Sequence, residues 1–162
     1  MSAQMEFWLY LYFPQLQLDK LLVQHNSSTA LSAQGKSHHL DLTAPLAIVG
    51  ADHQLLQLNT AARQLGLTLG MGLASAASLC HQLQLVPHQA EQEQQQLQQL
   101  AQLLYQYCGD IALQPDSGLL LKLSPMLALY GGAMQFWQQI QQVLQQAGYQ
   151  YHFATAQQAL VA

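Results

Sequence analysis

The chain has 162 residues, of which 51% are apolar and only 7% are charged, and its formal net charge is −4. This length fits one domain, or one domain with a small insertion, and is sufficient to bury a substantial core. Its fixed cations are Lys20, Lys36, Arg63 and Lys122. Because affinity for nucleic acids comes largely from neutralised phosphates, four scattered cations exclude a strong DNA-binding face.

Glutamine supplies most of the polarity and makes up about a fifth of the chain. Its runs are interrupted by Leu, Ile and Val at helical intervals, which predicts solvated helix surfaces rather than a prion-like tract. Cys80 and Cys108 have apolar neighbours and are typical of a reduced, cytosolic protein. The first five residues contain no basic group, and the apolar run Phe7–Phe13 is too short to span a bilayer. We therefore expect a cytoplasmic protein that does not associate with a membrane.

The first half of the chain predicts short strands and helices around a polar loop. The aromatic run Phe7–Phe13 predicts a central strand covered on both faces, with its aromatic side chains in the core. Asn26–His39 predicts a mobile loop. Further strands are predicted at Pro45–Val49, Gln54–Leu58 and Leu83–Val86, and helices at Gln15–Gln24, Leu73–Leu79 and from an N-cap at Asn59 to Leu65.

The second half predicts two long helices around a strand pair. A stripe of apolar residues predicts a helix over His88–Cys108, and a second follows Gly131–Gly132 as Ala133–Ala147. Between them, Asp110–Leu123 predicts two strands joined at Pro115–Gly118, the second buried on both faces. Tyr149–Ala154 predicts a last strand, and a further helix is expected from Gln157. A helix so near residue 162 predicts that the chain is truncated.

The order of these elements predicts the fold class. A strand is followed by helix, strand, strand, helix and strand, which is the ferredoxin-like plan: an α/β (α+β) fold with a mixed, mostly antiparallel sheet and helices on one face. Residues 1–20 and 86–162 would form this domain, and residues 21–85 an insertion.

Four segments of the sequence resemble the Y-family (UmuC/DinB-type) DNA polymerases, in particular the catalytically inactive ImuB branch. They are Leu58–Leu73 (LNTAARQLGLTLGMGL), Ala74–His81 (ASAASLCH), Asp116–Leu123 (DSGLLLKL) and Leu129–Gly132 (LYGG). The resemblance implies that residues 1–20 and 86–162 are a polymerase palm and that residues 21–85 correspond to the fingers.

Active members of this family hold two metal ions with carboxylates on the first palm strand and in a turn. Two-metal transfer needs such clustered anions, because the cations must be kept close together against their repulsion. By resemblance, Leu11 and Phe13 stand at the first-strand positions, and Ser117 and Gly118 stand where Asp and Glu would fall. A one-residue slip would place Asp116 in register. At most one carboxylate survives, and Lys122 would repel a metal, so we expect no catalytic residue, no metal site and no cofactor, although active relatives use Mg²⁺.

The triphosphate-binding positions of the family match Thr60 and Arg63 here. Arg63 could still touch a phosphate, although an exposed helix residue without that role fits the sequence better. Two other groups could compose a metal site if they folded together. They are His38, His39 and Asp41, and Asp52 with His53; structural roles in loops fit them better.

The resemblance implies a non-catalytic scaffold in bacterial DNA damage tolerance, the SOS response and induced mutagenesis. Its expected partners are the sliding clamp, an ImuA-type RecA-like protein and an error-prone C-family polymerase, with DNA bound only weakly. Two alternatives stay open. One is an active translesion polymerase whose ligands are Asp19, Asp110 and Asp116; the other is a standalone protein-interaction adaptor that reuses the fold.

Overall fold

The computed structural model describes the backbone of residues 4–28, 40–114 and 117–160, and the side chains of residues 6–24, 40–114 and 117–157. These residues form, in chain order, β1 (Gln4–Tyr12), α1 (Leu16–Ser28), β2 (Leu46–Val49), β3 (Leu55–Leu58), α2 (Thr60–Gln64), α3 (Leu73–Leu79), β4 (Gln84–Pro87), α4 (Ala90–Leu104), β5 (Ile111–Gln114), β6 (Gly118–Lys122), α5 (Ser124–Leu127), α6 (Ala133–Ala147) and β7 (His152–Leu160).

The chain divides into two compact units. The first unit combines Met1–Leu16 with Glu91–Ala162, and the second unit is Gln17–Ala90. Each contains one β-sheet and its own buried core.

The sheet of the first unit has the strand order β5-β6-β1-β7, and all three of these pairings are antiparallel. Helices α4 and α6 bury their apolar stripes against one face of this sheet, which confirms the predicted ferredoxin-like plan. Its main core residues are Leu9, Leu11, Phe13, Leu97, Leu100, Leu104, Leu119, Leu121, Phe136, Ile140 and Leu144.

β1 is central, as predicted, but it is not buried on both faces. Leu9 and Leu11 point to the helices and are at most 1% exposed, whereas Tyr12 on the other face is 37% exposed. An antiparallel sheet can keep one face outside the core, and a wholly apolar run does not reveal this because aromatic side chains tolerate partial exposure. We call this second face the open face; its residues are Trp8, Tyr10, Tyr12, Gly118, Leu120, Lys122, His152, Ala154 and Ala156.

The prediction that the second strand of the hairpin, β6, is buried on both faces is also wrong. Leu119 and Leu121 are fully buried, whereas Leu120 between them is partly exposed on the open face. The run of three leucines therefore reflects one core-facing pair and one residue of the opposite face, since successive strand residues point to opposite sides.

The last strand is longer than predicted. β7 continues to Leu160, so the helix expected from Gln157 is absent from the described residues. β1 offers β7 a pairing of nine residues, from Tyr12 opposite His152 to Gln4 opposite Leu160. This ladder overrides the helical preference of the glutamines and alanines, because strand formation depends on tertiary context.

Helices α4 and α6 lie where the apolar stripes predicted them, with 15 residues each. α4 ends at Leu104 instead of Cys108, and a turn carries the chain from Leu104 to β5. In the part of the chain that the structure describes, every helix falls short of the length and apolar character that a membrane span requires.

The second unit has a three-stranded sheet of order β3-β2-β4. β2 pairs with β3 antiparallel and with β4 parallel. The Asn59 side chain caps α2 as predicted, accepting a hydrogen bond from the backbone of Ala62. α1 extends to Ser28, past the predicted start of the loop at Asn26, and residues 29–39 of that loop lie outside the described residues.

Candidate functional site

The end of β1 and the turn before β6 lie side by side at one end of the sheet in the first unit. Tyr12 lies opposite Gly118, and the backbone N–H of Phe13 donates to the carbonyl of Ser117 at 3.0 Å. We call Tyr10, Tyr12, Ser117 and Gly118 the hairpin end of the open face. The first strand and the turn that the resemblance singled out are therefore neighbours in space.

Leu11 itself does not belong to this face. Its side chain is 0% exposed and lies in the core beneath α4 and α6, opposite Leu119. A carboxylate at position 11 would be buried among apolar side chains, at a large desolvation cost. Any group that β1 contributes to the hairpin end must come from Tyr10 or Tyr12, because successive strand residues point to opposite faces.

The turn carries a hydroxyl and a glycine at its described positions. Ser117 adopts a left-handed backbone conformation with φ of +63°, and Gly118 is buried. Pro115 and Asp116 lie outside the described residues. The described hairpin end thus offers two phenols and one hydroxyl, whereas hard divalent cations take carboxylate and carbonyl oxygens. This donor set does not fit a two-metal site.

The charges of the open face lie at its other end. Lys122 forms an ion pair with Glu6, and its ammonium group lies 5.5 Å from the centre of the Trp8 ring. Lys122 is four residues along β6 from Gly118, about 13 Å at the rise of a strand. Its repulsion of a metal at the turn is therefore weaker than the sequence suggested.

Asp110 also lies away from the turn. Its carbonyl accepts a hydrogen bond from the backbone of Lys122 at 3.0 Å, so Asp110 stands beside Lys122 at the charged end. Asp19 is 2% exposed and belongs to α1 in the second unit, where it has interaction partners.

Thr60 and Arg63 occupy one turn of α2 in the second unit, three residues apart and both exposed. Residues at this spacing lie on the same side of a helix. The Nε of Arg63 donates to the carbonyl of Leu58 at 3.2 Å, which ties the base of the guanidinium group to the strand before the helix. Both side chains are exposed, and a phosphate contact by Arg63 stays a prediction.

The other sequence candidates have structural partners. The Asp41 carboxylate accepts from the backbone and hydroxyl of Thr43, and Asp52 accepts from the backbone of Gln54. Both contacts are characteristic of turns. His38 and His39 lie outside the described residues, and His53 is exposed. Within the described ranges, no group of three or more His, Cys, Asp or Glu side chains could hold a metal ion.

A cavity of about 190 Å³ lies on the helix side of the same sheet. Its lining offers no polar surface, so it cannot orient a phosphate or a metal ion. The lining residues are Leu9, Leu123, Ala133, Met134, Phe136, Trp137, Phe153 and Thr155.

Trp8, Tyr10 and Tyr12 lie on the open face, although the sequence analysis predicted them to be core residues. Tyr12 and His152 stack with ring centres 6.3 Å apart and an angle of 21° between the rings. The aromatic run was predicted to be core, although its spacing of two residues is the signal that would have separated Trp8, Tyr10 and Tyr12 from the leucines between them.

Comparison with known proteins identifies related folds. A family model described as the impB/mucB/samB family matches residues 26–162. The crystal structure of DinB from Sulfolobus solfataricus is 14% identical with a TM-score of 0.65, over 93% of this chain and 42% of that chain. The insertion ternary complex of Dbh DNA polymerase is 16% identical with a TM-score of 0.66, again over 93% and 42%. No curated protein matches.

These likenesses show that the fold is that of a Y-family polymerase palm, and confirm the predicted mixed α/β class. The chain spans less than half the length of the structures it matches.

Proposed function

The chain belongs to the impB/mucB/samB family, and from that premise we propose that it is the polymerase-like part of a non-catalytic scaffold. The scaffold would act in bacterial DNA damage tolerance and induced mutagenesis, in the manner of the ImuB branch that the sequence resembles. In this role the palm keeps its fold as a structural module and does not transfer nucleotides.

The hairpin end of the open face carries this proposal. Two-metal nucleotidyl transfer places two cations about 4 Å apart, which requires several convergent carboxylates. The described positions here are Tyr10, Tyr12, Ser117 and Gly118, none of which is acidic. Asp116 could add one carboxylate, and a single monodentate oxygen holds Mg²⁺ poorly.

The partners proposed by resemblance are the sliding clamp, an ImuA-type RecA-like protein and an error-prone C-family polymerase, in the cytoplasm. A net charge of −4 with four fixed cations supports contacts with proteins over contacts with DNA. Arg63 and Thr60 would at most touch a phosphate.

Primer extension by the complete gene product tests this proposal. The protein is incubated alone with a primer–template, all four deoxynucleoside triphosphates and Mg²⁺ or Mn²⁺, and we expect no extension. In parallel, calorimetry of the 162-residue chain with Mn²⁺ and a deoxynucleoside triphosphate should give no heat of binding at millimolar ligand. Template-dependent extension that Asp116→Asn abolishes would overturn the proposal.

That outcome would favour the alternative, a translesion polymerase with rearranged ligands. The position of Asp110 beside Lys122 speaks against it, because the carbonyl of Asp110 pairs with the strand end remote from the turn. A matched Asp110→Asn variant decides whether Asp110 shares an ion with Asp116: both substitutions would then abolish extension.

A further inference from the structure

Tyr10 and Gly118 are diagonal neighbours on the open face. Tyr10 pairs with Leu120, and Tyr12 pairs with Gly118. Gly118 is therefore two residues along β6 from the partner of Tyr10, and the side-chain positions of Tyr10 and Gly118 lie on the same face of the sheet. Aromatic side chains reach such diagonal positions easily.

The Tyr10 ring fills the space in which a side chain at position 118 would begin. A Cβ atom built on Gly118 would lie 2.7 Å from Cε2 and 2.8 Å from Cζ of Tyr10, with the phenol oxygen closer still. Real Cβ atoms do not approach other heavy atoms within 3.0 Å, so any residue other than glycine forces the ring to move. A Cβ on Gly109, by contrast, would have no atom within 4 Å.

The backbone does not explain this glycine. Gly118 is absent from the residues with positive φ, whereas its neighbour Ser117 is among them. Glycine inside a strand lowers stability unless a neighbouring side chain covers it, and an aromatic ring across the strand pair is the usual cover. At position 118 the feature that opposes a side chain is therefore the Tyr10 ring and not a positive φ.

We propose that Tyr10 plugs the position from which β6 would present an acidic side chain, so that the hairpin end is closed to a divalent cation. The inference rests on the proposed non-catalytic function and deepens it: the site is filled, in addition to lacking ligands.

A double-mutant cycle tests the contact. Gly118→Ala should lower the urea midpoint in the wild-type background and in Tyr10→Phe, which keeps the ring. In a Tyr10→Ala background the same substitution should leave the midpoint unchanged or raise it, because the added methyl group no longer meets a ring. Gly109→Ala is the matched control and should shift the midpoint equally in all three backgrounds, because no atom would meet its Cβ. Equal losses from Gly118→Ala with and without the ring would overturn the proposal.

Metal binding tests the plug directly. Ser117→Asp/Gly118→Glu supplies two carboxylates, and it is prepared in the 162-residue chain both with Tyr10 retained and together with Tyr10→Ala. Titration with Mn²⁺, followed by the electron paramagnetic resonance signal of the free ion, should give a Kd at least about ten-fold lower when the ring is removed, since affinity follows ligand access and site rigidity. Equal Mn²⁺ binding by the two proteins, whether measurable or undetectable, would overturn the plug.

The proposed non-catalytic function and the proposed Tyr10 plug can be refuted independently of each other. Primer extension by the unaltered gene product would refute the non-catalytic role without changing the urea cycle. An additive cycle would refute the plug and leave the non-catalytic role in place, because missing carboxylates alone could account for it.

Discussion

A single buried side chain, Asn59, satisfies four backbone groups around β2 and α2. Its Oδ1 accepts from the backbone N–H of Leu46 at 3.0 Å and of Ala62 at 2.9 Å. Its Nδ2 donates to the carbonyls of Ala44 at 2.7 Å and Leu42 at 3.3 Å. The residue is 6% exposed, so water cannot replace these partners without rearrangement.

Asn59→Ala should lower the free energy of unfolding by about 2 to 4 kcal/mol, through the lost helix cap and the unpaired buried amide of Leu46. Urea denaturation measures this. Asn59→Asp keeps the acceptor but places a carboxylate oxygen against the carbonyls of Ala44 and Leu42, so it should also be less stable than wild type. Gln64→Ala, exposed on the same helix, is the control. A loss below about 0.5 kcal/mol, the range of neutral surface changes, would contradict the role given to Asn59.

The Cys108 thiol makes the folding stability depend on pH. Burial raises the pKa of this thiol, and a backbone hydrogen bond with Asp110 partly offsets this increase. Above the ordinary thiol pKa of about 8.5 the unfolded chain releases this proton while the folded chain keeps it. The contribution of Cys108 to stability is thus fully present below that pH and is lost as the pH rises toward the raised value.

We expect the free energy of unfolding to fall more between pH 7.5 and 9.5 in wild type than in Cys108→Ala, because the folded chain keeps the thiol proton that the unfolded chain releases. Urea denaturation at the two pH values gives both differences. Identical pH dependence of the two proteins would show that the buried thiol titrates normally.

Among the elements, α6 has the best defined end. Gly148 adopts a left-handed conformation with φ of +79°, and its N–H donates to the carbonyls of Leu144 and Gln145 at 3.1 and 3.2 Å. Gly148→Ala should cost about 1 kcal/mol, because a Cβ atom is unfavourable at positive φ. Gly109→Ala is the control, since no atom would meet its Cβ and its φ is not positive. Equal thermal midpoints of the two variants would refute this assignment.

Local signals predicted many of the elements. Gly148 follows the apolar stripe of α6 and Asn59 precedes α2, and both ends lie where these residues placed them. β7 could not be predicted in full, because its last residues are extended only by pairing with the start of β1, more than 140 residues earlier in the sequence. The faces of β1 were also hidden, since leucines and aromatics alternate along it and both are apolar.

The charge of the whole molecule governs its binding to nucleic acid. With four fixed cations and eight acidic residues, the 162-residue chain should show no saturable binding to a labelled primer–template at protein concentrations up to about 10 µM in 150 mM KCl. Fluorescence anisotropy measures this. Submicromolar binding would contradict the electrostatic argument.

A charge-raising variant is the matched positive control. Gln94, Gln98 and Gln102 are exposed on α4 at intervals of four residues. Their replacement by lysine should create binding that weakens with salt, with a slope of log K against log salt of about −2 to −3 for three phosphate contacts. Wild-type protein in the same titration should stay flat.

Some features of the candidate site can be predicted from the sequence, and others become visible only in the folded sheet. The shortage of acidic residues around Ser117 and Gly118 is visible in the sequence. The contact between Tyr10 and Gly118 is not, because it depends on which residues of β1 and β6 are paired and on the direction of one ring. Leu11 illustrates the same limit, since its exclusion from the open face follows from strand parity in the folded sheet.

The Tyr10–Gly118 contact also has an evolutionary consequence. An acidic residue gained at position 118 must displace the Tyr10 ring, whereas a small residue gained at position 10 uncovers the glycine within its strand. Each single substitution is therefore disfavoured before the pair is complete. If the proposed plug holds, a metal-binding palm can be regained at these positions only when both residues change, and not by a single substitution at either one.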